Sequence, residues 1–577
     1  MIGRHDMAKK RVLLIGLDGA TLELIRPWTG QGWLPNFERL MREGSYGALQ
    51  SVIRPGSPQA WSSFITGKNP GKHGIFNFIE KVKNSYRVTF VNAKSRGGES
   101  LWKILSHHGL RVAVMNVPIT FPPEQVNGVF ISGLDAPGVE SQFTYPPDLY
   151  GEIRRNVGEY ILEAGLWGYI SGGKYDEGLA RLEYVIEQRF NVAKYLYERE
   201  KWDFFMVVFT APDRVQHNFW KFMDPTHPLY TDEGNKRYGN AIQRVYARLD
   251  EKLGNFLNMI DDSTVVMIMS DHGMGKNTDK AFYLNRFLES KGLLTFKDIG
   301  KNRVISAAKK IVLVDTLRFI RRQLWKRLHR KTKERLVRLF PKLRDRMTSI
   351  FLFSRIDMGK TKVYADETRS ILWVNVKGRD PRGTVTPEEY EAVRTYVIDE
   401  LEKLKDPGTG QPVVERAYRP GEIYRGKFVE DAPDIIVTWH HDDYRSRPSH
   451  TSNDGIFMRR IERDELEKLE YHLQANADHR MDGIVFLHGH GFRKHYEIKN
   501  SNIMDLAPTI LFLFDIPIPE DMDGKVIREA FADDYWKDHP IRFAAEGEKG
   551  EHRGMQDYSE EEADIIRSRL QELGYLG

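Results

Sequence analysis

Four short, nearly continuous apolar runs recur through the first 285 residues, at 12–17, 111–116, 204–209 and 264–269. Runs of this length without polar alternation predict strands buried on both faces of a parallel sheet. Between them lie longer stretches with apolar residues three and four apart, at 177–200 and 240–260, which predict amphipathic helices. Strands alternating with helices predict an α/β fold with helices on both sheet faces. In such sheets ligands bind beyond the carboxyl ends of the strands.

The pattern breaks in the middle of the chain. Leu313, Leu317, Ile320, Leu324 and Leu328 form a stripe at helical spacing, and Arg318, Arg321, Arg322, Lys326 and Arg327 fill the other faces. Residues 292–354 therefore read as a basic helical insertion, with Pro341 ending or bending a second helix. After it the sheet pattern is expected to resume, with "ILWVNV", "APDIIVTW" and "DGIVFLHG" as strands. Thr386, Pro387 and Glu389 spell a capping box before a helix, and Ser559 with Glu562 spells another near the end. The expected organisation is a core in two parts, 1–291 and 355–530, the insertion between them, and an extension over 531–577.

Composition narrows the class. The chain has 577 residues, 41% hydrophobic and 29% charged, which suits a large globular protein with insertions. No apolar run approaches the ~18 residues of a membrane span. With no cysteine, disulfides, thiolate metal ligands and a cysteine nucleophile are excluded, and a cytoplasmic location is the default expectation. The net charge of +5 hides an asymmetry: 18 Lys/Arg face four acids between Lys297 and Arg346, leaving about −9 on the rest. That segment could cap the core, touch an anionic membrane surface, or bind nucleic acid, the last being the weakest expectation.

The chemistry sits just after the expected strands. Asp18 follows "VLLIGL", Asp213 and His217 follow "FFMVVFTAP", and Asp271 with His272 follows "TVVMIMS"; His479 stands in "NADHRMDG". Asp213 and His217, at i and i+4, share one face if the stretch is helical. Three carboxylates and three imidazoles suffice for two metal sites with mixed N and O ligands. Ser57 lies directly before Pro58, which favours a first helical turn, so Ser57 is expected as N-cap facing the backbone N–H groups of Gln59 and Ala60. A plain capping serine predicts the same local geometry as a nucleophile. His73 in "GKHGI" reads as a turn-stabilising hydrogen bonder, and His488 and His490 as surface or supporting residues.

Taken in order, "LLIGLDGA", "SPQAWSSFITGKNPGKHGIFNF", "APDRVQHNFW", "SDHGMG", "NADHRMDGIVF" and "IMDLAPTILFLFDIPIPEDMDGKVI" resemble the alkaline phosphatase superfamily, in its type I phosphodiesterase/nucleotide pyrophosphatase-like branch. The resemblance implies an alkaline phosphatase-like three-layer sandwich with a central, mostly parallel sheet, the basic segment being an added cap. It implies one metal on Asp213, His217 and His479, and a second on Asp18, Asp271, His272 and the oxygen of Ser57. Such a pair, zinc by donor type with manganese as the alternative, serves hydrolysis of phosphate mono- or diesters through a phosphoseryl intermediate on a small phosphate ester or nucleotide-like substrate.

The chain departs from the branch in having Ser57 where threonine is usual and Ala60 where an asparagine is usual, and Pro58 offers no N–H. Trp61 and Lys68 are the substitutes expected to help bind the phosphoryl group or its substituent. A phosphomutase would use the same serine and metals. A protein binding anionic lipid or nucleic acid on a hydrolase-like core is the rival of another class. A sulfatase is disfavoured because "PQAW" follows Ser57 and no cysteine exists.

Overall fold

The computed structural model describes residues 10–297, 353–449, 455–469, 476–545 and 558–573. A nine-stranded sheet forms the centre. Five neighbouring strands run parallel, in the order Thr264–Met269, Arg11–Leu17, Phe204–Phe209, Val112–Val117 and Gly128–Ser132. Asp482–His488 joins antiparallel beside Thr264–Met269, followed outward by Ser45–Gln50 and Tyr496–Ile498. The four runs expected as strands are all in this sheet, within one residue of the expected bounds.

The alternation along Arg11–Leu17 shows why the sheet is covered twice. Leu13, Ile15 and Leu17 enter one apolar cluster, with Leu182, Ile186 and Phe190 of helix Tyr175–Arg199 and Val245, Leu249 and Leu253 of helix Ala241–Leu257. Val12 and Leu14 enter another, with Trp61 and Phe64 of helix Ser57–Thr66 and Leu506 and Ile510 of helix Leu506–Leu513. The result is the expected three-layer sandwich. Gly16 faces this second layer, where a Cβ would lie 2.9 Å from the Trp61 ring, so the close packing of strand and helix needs glycine there.

The second half differs from expectation. "ILWV" and "IIVTW" do not return to the central sheet. They pair with Val363–Asp366 and Val414–Tyr418 in a separate four-stranded antiparallel sheet, which packs with helix Tyr390–Glu402 around its own apolar cluster. Their apolar runs reflect burial on both faces, and that burial is equally available in a small covered antiparallel sheet. Within residues 355–530, Asp482–His488 and Tyr496–Ile498 do join the central sheet. Ser559 and Glu562 form the expected capping box before helix Glu560–Glu572, whereas Thr386 and Glu389 exchange the same two bonds in a turn one step earlier, and helix Tyr390–Glu402 starts after Glu389 rather than after Thr386. The stripe of 313–328 and Pro341 lie outside the described residues. Among the described residues no helix is long and apolar enough to cross a membrane.

Candidate metal centre

The parallel strands end together, and their exits carry the acids. Asp18 follows Arg11–Leu17, Asp271 follows Thr264–Met269, and Asp213 sits in the first turn of helix Ala211–Met223, which follows Phe204–Phe209. All three aspartates are fully buried. Gly19, at φ +69, lets the chain turn immediately after Asp18; a Cβ there would come within 3.2 Å of the Asp213 backbone. The Gly19 N–H donates to Asp271 Oδ1 (3.3 Å), and Gln216 Nε2 donates to the Gly19 carbonyl (2.9 Å), tying the three exits together.

The distant histidine arrives by strand pairing. Gly273–Lys276, directly after His272, pairs antiparallel with Ala477–Arg480, placing His479 opposite Met274. The His272 and His479 rings stack with centroids 3.6 Å apart. His217 Nε2 lies 3.2 Å from Asp213 Oδ1 and 3.2 Å from His479 Nε2, and His479 Nε2 is 3.5 Å from the same carboxylate oxygen. His272 Nε2 lies 3.3 Å from Asp271 Oδ2, 3.7 Å from Asp18 Oδ1 and 3.4 Å from Ser57 Oγ. Six side chains spread over the whole chain thus converge beside one hydroxyl.

Two features of this cluster fit cations. First, backbone carbonyls fix the imidazole tautomers. His217 Nδ1–H donates to the Ala477 carbonyl (2.9 Å) and His272 Nδ1–H to the Gly273 carbonyl (3.0 Å), so each ring presents a lone pair at Nε2. Second, both Asp18 oxygens, Asp213 Oδ1 and Asp271 Oδ2 are buried without a hydrogen-bond partner. Such atoms are costly unless something positive faces them. The titration directions say the same. Burial, with Asp271 and Asp213 adding repulsion, pushes Asp18 well above the usual carboxylate range, and burial lifts Asp271 to about 6. Burial lowers His272 and His479 to about 4, so both rings are neutral at physiological pH, the form that can bind a cation. Asp213 is the exception: burial would raise it, but His217, whenever its Nε2 carries a proton instead of facing a cation, and the Arg214 guanidinium hold it well below the usual range. Two sets, Asp213/His272/His479 and Asp18/Asp271/His272, each bring one ligand atom apiece within 4.8 Å of one another. His272 belongs to both, so the two sites are contiguous.

The serine differs by one position from its expected place. Gly56 is the N-cap of helix Ser57–Thr66, Ser57 is the first helical residue and Pro58 the second. The Ala60 N–H is consequently used inside the helix, donating to the Gly56 carbonyl (3.0 Å), and Ala60 is buried. Proline fits either position because neither has an intrahelical acceptor for its N–H. Gln59 lines the cavity beside Ser57; its Nε2 donates to the Arg54 carbonyl (2.7 Å) and its Oε1 is buried without a partner. Trp61 is fully buried against the sheet and Phe64, outside the cavity lining, and Lys68 forms an ion pair with Asp521. Neither of the two stands at the site. His73 does stabilise the turn, with Nε2 2.9 Å from Ser63 Oγ and Nδ1 accepting from the Ile75 N–H (3.1 Å). His488 pairs across to Val266, near the opposite ends of the parallel strands, 3.7 Å from Glu43.

Two groups escaped the sequence reading. Arg214, beside Asp213 in "PDRVQH", grips the Asp213 Oδ2 that faces away from the imidazoles and is itself held by Glu163 (3.1 and 3.2 Å). Its signal was a lone arginine on a helix face otherwise destined for burial. The cavity in front of Ser57 and His479 is also lined by Arg54, Arg369 and Arg445, with Phe76 and Tyr424 forming an apolar wall. No local pattern marks these.

The chain matches the family model described as type I phosphodiesterase/nucleotide pyrophosphatase over residues 12–452. No curated protein matches it. Among solved structures, human ectonucleotide pyrophosphatase/phosphodiesterase 5 is similar at 13% identity, covering 88% of this chain and 95% of that one, with a TM-score of 0.43. The murine counterpart, an inactive variant in complex with AMP, gives 13% identity, the same coverage and 0.44. Phosphonoacetate hydrolase from Sinorhizobium meliloti 1021, in complex with phosphonoacetate, gives 12%, the same coverage and 0.48.

Proposed function

The chain belongs to the type I phosphodiesterase/nucleotide pyrophosphatase family and is a phosphoric ester hydrolase; from that premise we propose that it cleaves its ester through the hydroxyl of Ser57, with two divalent cations held in the buried cluster. Asp213, His217 and His479 would hold one, and Asp18, Asp271 and His272 with Ser57 Oγ the other. His272, which stands between both sets, would be the hinge of the pair. When bound, the cations would neutralise phosphoryl oxygens, acidify the serine hydroxyl and stabilise the departing oxygen. Nitrogen and oxygen donors without thiolates favour zinc, with manganese as the alternative.

The chain's own residues supply the rest. Ser57 Oγ would lose its proton to solvent and bond to phosphorus as the ester oxygen leaves with its electron pair and takes a proton from solvent. Water then breaks that bond, releasing phosphate or a monoester and restoring the hydroxyl. The N–H groups of Ser57 and Gln59, in the first helical turn, have no intrahelical acceptor and are available to phosphoryl oxygens. Small phosphate esters and nucleotide-like esters are the substrate classes this centre suits. The observation that supports the reading most is the set of four buried, unpartnered carboxylate oxygens facing imidazole lone pairs beside Ser57 Oγ.

The test is Ser57→Ala in metal-reconstituted protein, assayed on aryl monoesters and diesters. Turnover should vanish while metal content per chain stays near two. Normal turnover in the variant would sink the assignment of Ser57. Release of free phosphate from a monoester, with no transfer within the substrate, separates the hydrolase from a mutase.

A further inference from the structure

Helix Glu560–Glu572 and its C-cap carry an apolar stripe, Ala563, Ile566, Leu570 and Leu573, at the three- and four-residue spacing of one helical face. The first three enter an apolar cluster with Ile75, Phe78 and Leu134. Leu573, half-buried, instead lines the cavity in front of Ser57 and His479. Phe78 lines the same cavity, so the helix backs one lining residue with its packed face and supplies another from its end. The helix is fixed to the rim that carries the metal ligands. Arg569 Nη1 donates to the carbonyls of Leu134 and Ala136, the latter at 2.6 Å, and Nη2 donates to that of Pro137 (3.3 Å). The Tyr558 hydroxyl donates to the Asp135 carbonyl (3.0 Å), and its ring stacks on Phe121 with centroids 5.9 Å apart. Residues 134–137 follow the parallel strand Gly128–Ser132, past the same strand ends as Asp18 and Asp213.

We propose that Leu573 is a specificity-determining residue that sets the size limit on the organic substituent of the ester, a claim that rests on the Ser57 hydrolase reading for the position of the phosphoryl group. A leucine left half-covered at a cavity wall gains when an apolar group completes its burial, so a substituent that reaches it is favoured. A larger one must displace the wall. The wall does not yield cheaply, because Arg569 and Tyr558 tie the helix to four consecutive residues of the rim and three side chains of the stripe are packed beneath it. Forcing extra volume against packed side chains is costly. Leu573 lies one turn beyond that packed part, so its size can change without disturbing the support.

The test uses methylphosphonate, benzylphosphonate and (2-naphthyl)methylphosphonate, none of which contains an ester bond. Binding to the full-length, metal-loaded protein is measured by calorimetry. The wild type should bind the benzyl probe at least about fivefold tighter than the naphthyl probe. Leu573→Ala should tighten the naphthyl probe about fivefold, and Leu573→Trp should weaken the benzyl probe about tenfold, both leaving methylphosphonate within about twofold of wild type. Both variants should melt within about 1 °C of wild type, since Leu573 lies beyond the packed cluster. Equal affinities for the benzyl and naphthyl probes in the wild type overturn the proposal, as do variants that shift all three probes by one factor. Because no probe is cleaved, a protein that shows the size order but hydrolyses no ester would sink the Ser57 reading and leave the wall standing. Ester hydrolysis without the size order would sink the wall alone, and a metal-loaded protein that binds none of the three probes would overturn both.

Discussion

Replacing Arg214 by methionine probes the support of the centre without touching a ligand. Its guanidinium pairs with Asp213 on one side and grips both oxygens of Glu163 on the other. The Arg214 and Glu163 side chains are 2% and 7% exposed, and that of Asp213 is 0% exposed. Removing the cation strands two carboxylates in a low-dielectric interior, and breaking a buried pair costs about 3–5 kcal/mol. A chain of 577 residues unfolding as a unit has a transition entropy of about 1.2 kcal/mol/K, so the melting temperature of the metal-free protein should fall by about 3–4 °C. Adding Glu163→Gln removes one stranded charge and should recover about half of that loss. The same variant frees Asp213 Oδ2, and an outer partner of a metal ligand is typically worth 10–100-fold in affinity, so competition against a chelator should show metal binding weakened by that factor. Differential scanning fluorimetry with and without chelator reads the first two effects. A single variant within 1 °C of wild type, or a double variant no better than the single, would refute the claim that Arg214 neutralises this buried pair.

Other consequences follow from groups whose surroundings are equally well defined. Asp18→Asn should lower metal content from two ions per chain to one, by elemental analysis. It also removes one of three crowded carboxylates, so the metal-free variant should melt about 1–2 °C above metal-free wild type; a lower melting point would contradict the crowding argument. Asp135, 3% exposed, is raised to about 6 by burial despite accepting from the Phe121 and Thr120 N–H groups. Its folded form holds a proton that the unfolded chain has released, so stability should fall by up to about 3 kcal/mol as pH rises from 4 to 6. Asp135→Asn removes that contribution, and the melting difference between variant and wild type should move in the variant's favour by about 2 °C over that interval. A difference that stays flat with pH would show that Asp135 titrates normally.

Much of the centre was legible because parallel strands announce themselves. Their apolar runs fix where each strand ends, and in this architecture the residues just past those ends face one rim. Asp18, Asp213, Asp271 and His272 could be placed from that rule alone. His217 followed from helical spacing, and His479 needed the resemblance, since the pairing of Ala477–Arg480 with Gly273–Lys276 leaves no periodic trace across 200 residues. Trp61 and Lys68 were misjudged through nearness in sequence to Ser57. One turn along the helix, Trp61 already points at the sheet, where Gly16 leaves room for it, and Lys68 lies beyond the helix end, at Asp521.

The arginines mark the harder limit. Arg54 precedes the serine helix and Arg445 sits on a short strand paired with Lys280–Phe282, whereas Arg369 comes from the turn between two strands of the separate antiparallel sheet, whose strands carry the same apolar runs as core strands. Local pattern can say that such a strand is buried; it cannot say in which sheet, because burial on two faces is a property of the assembled layers. Where that smaller sheet settles decides which of its turns overhang Ser57. The wall of the cavity that carries Ser57 and the buried acids is thus written along strand ends, whereas the opposite wall is written in how two apolar clusters dock. Substitutions at Asp18 or His272 should accordingly decide whether any ester is cleaved, whatever the smaller sheet contributes to the far wall.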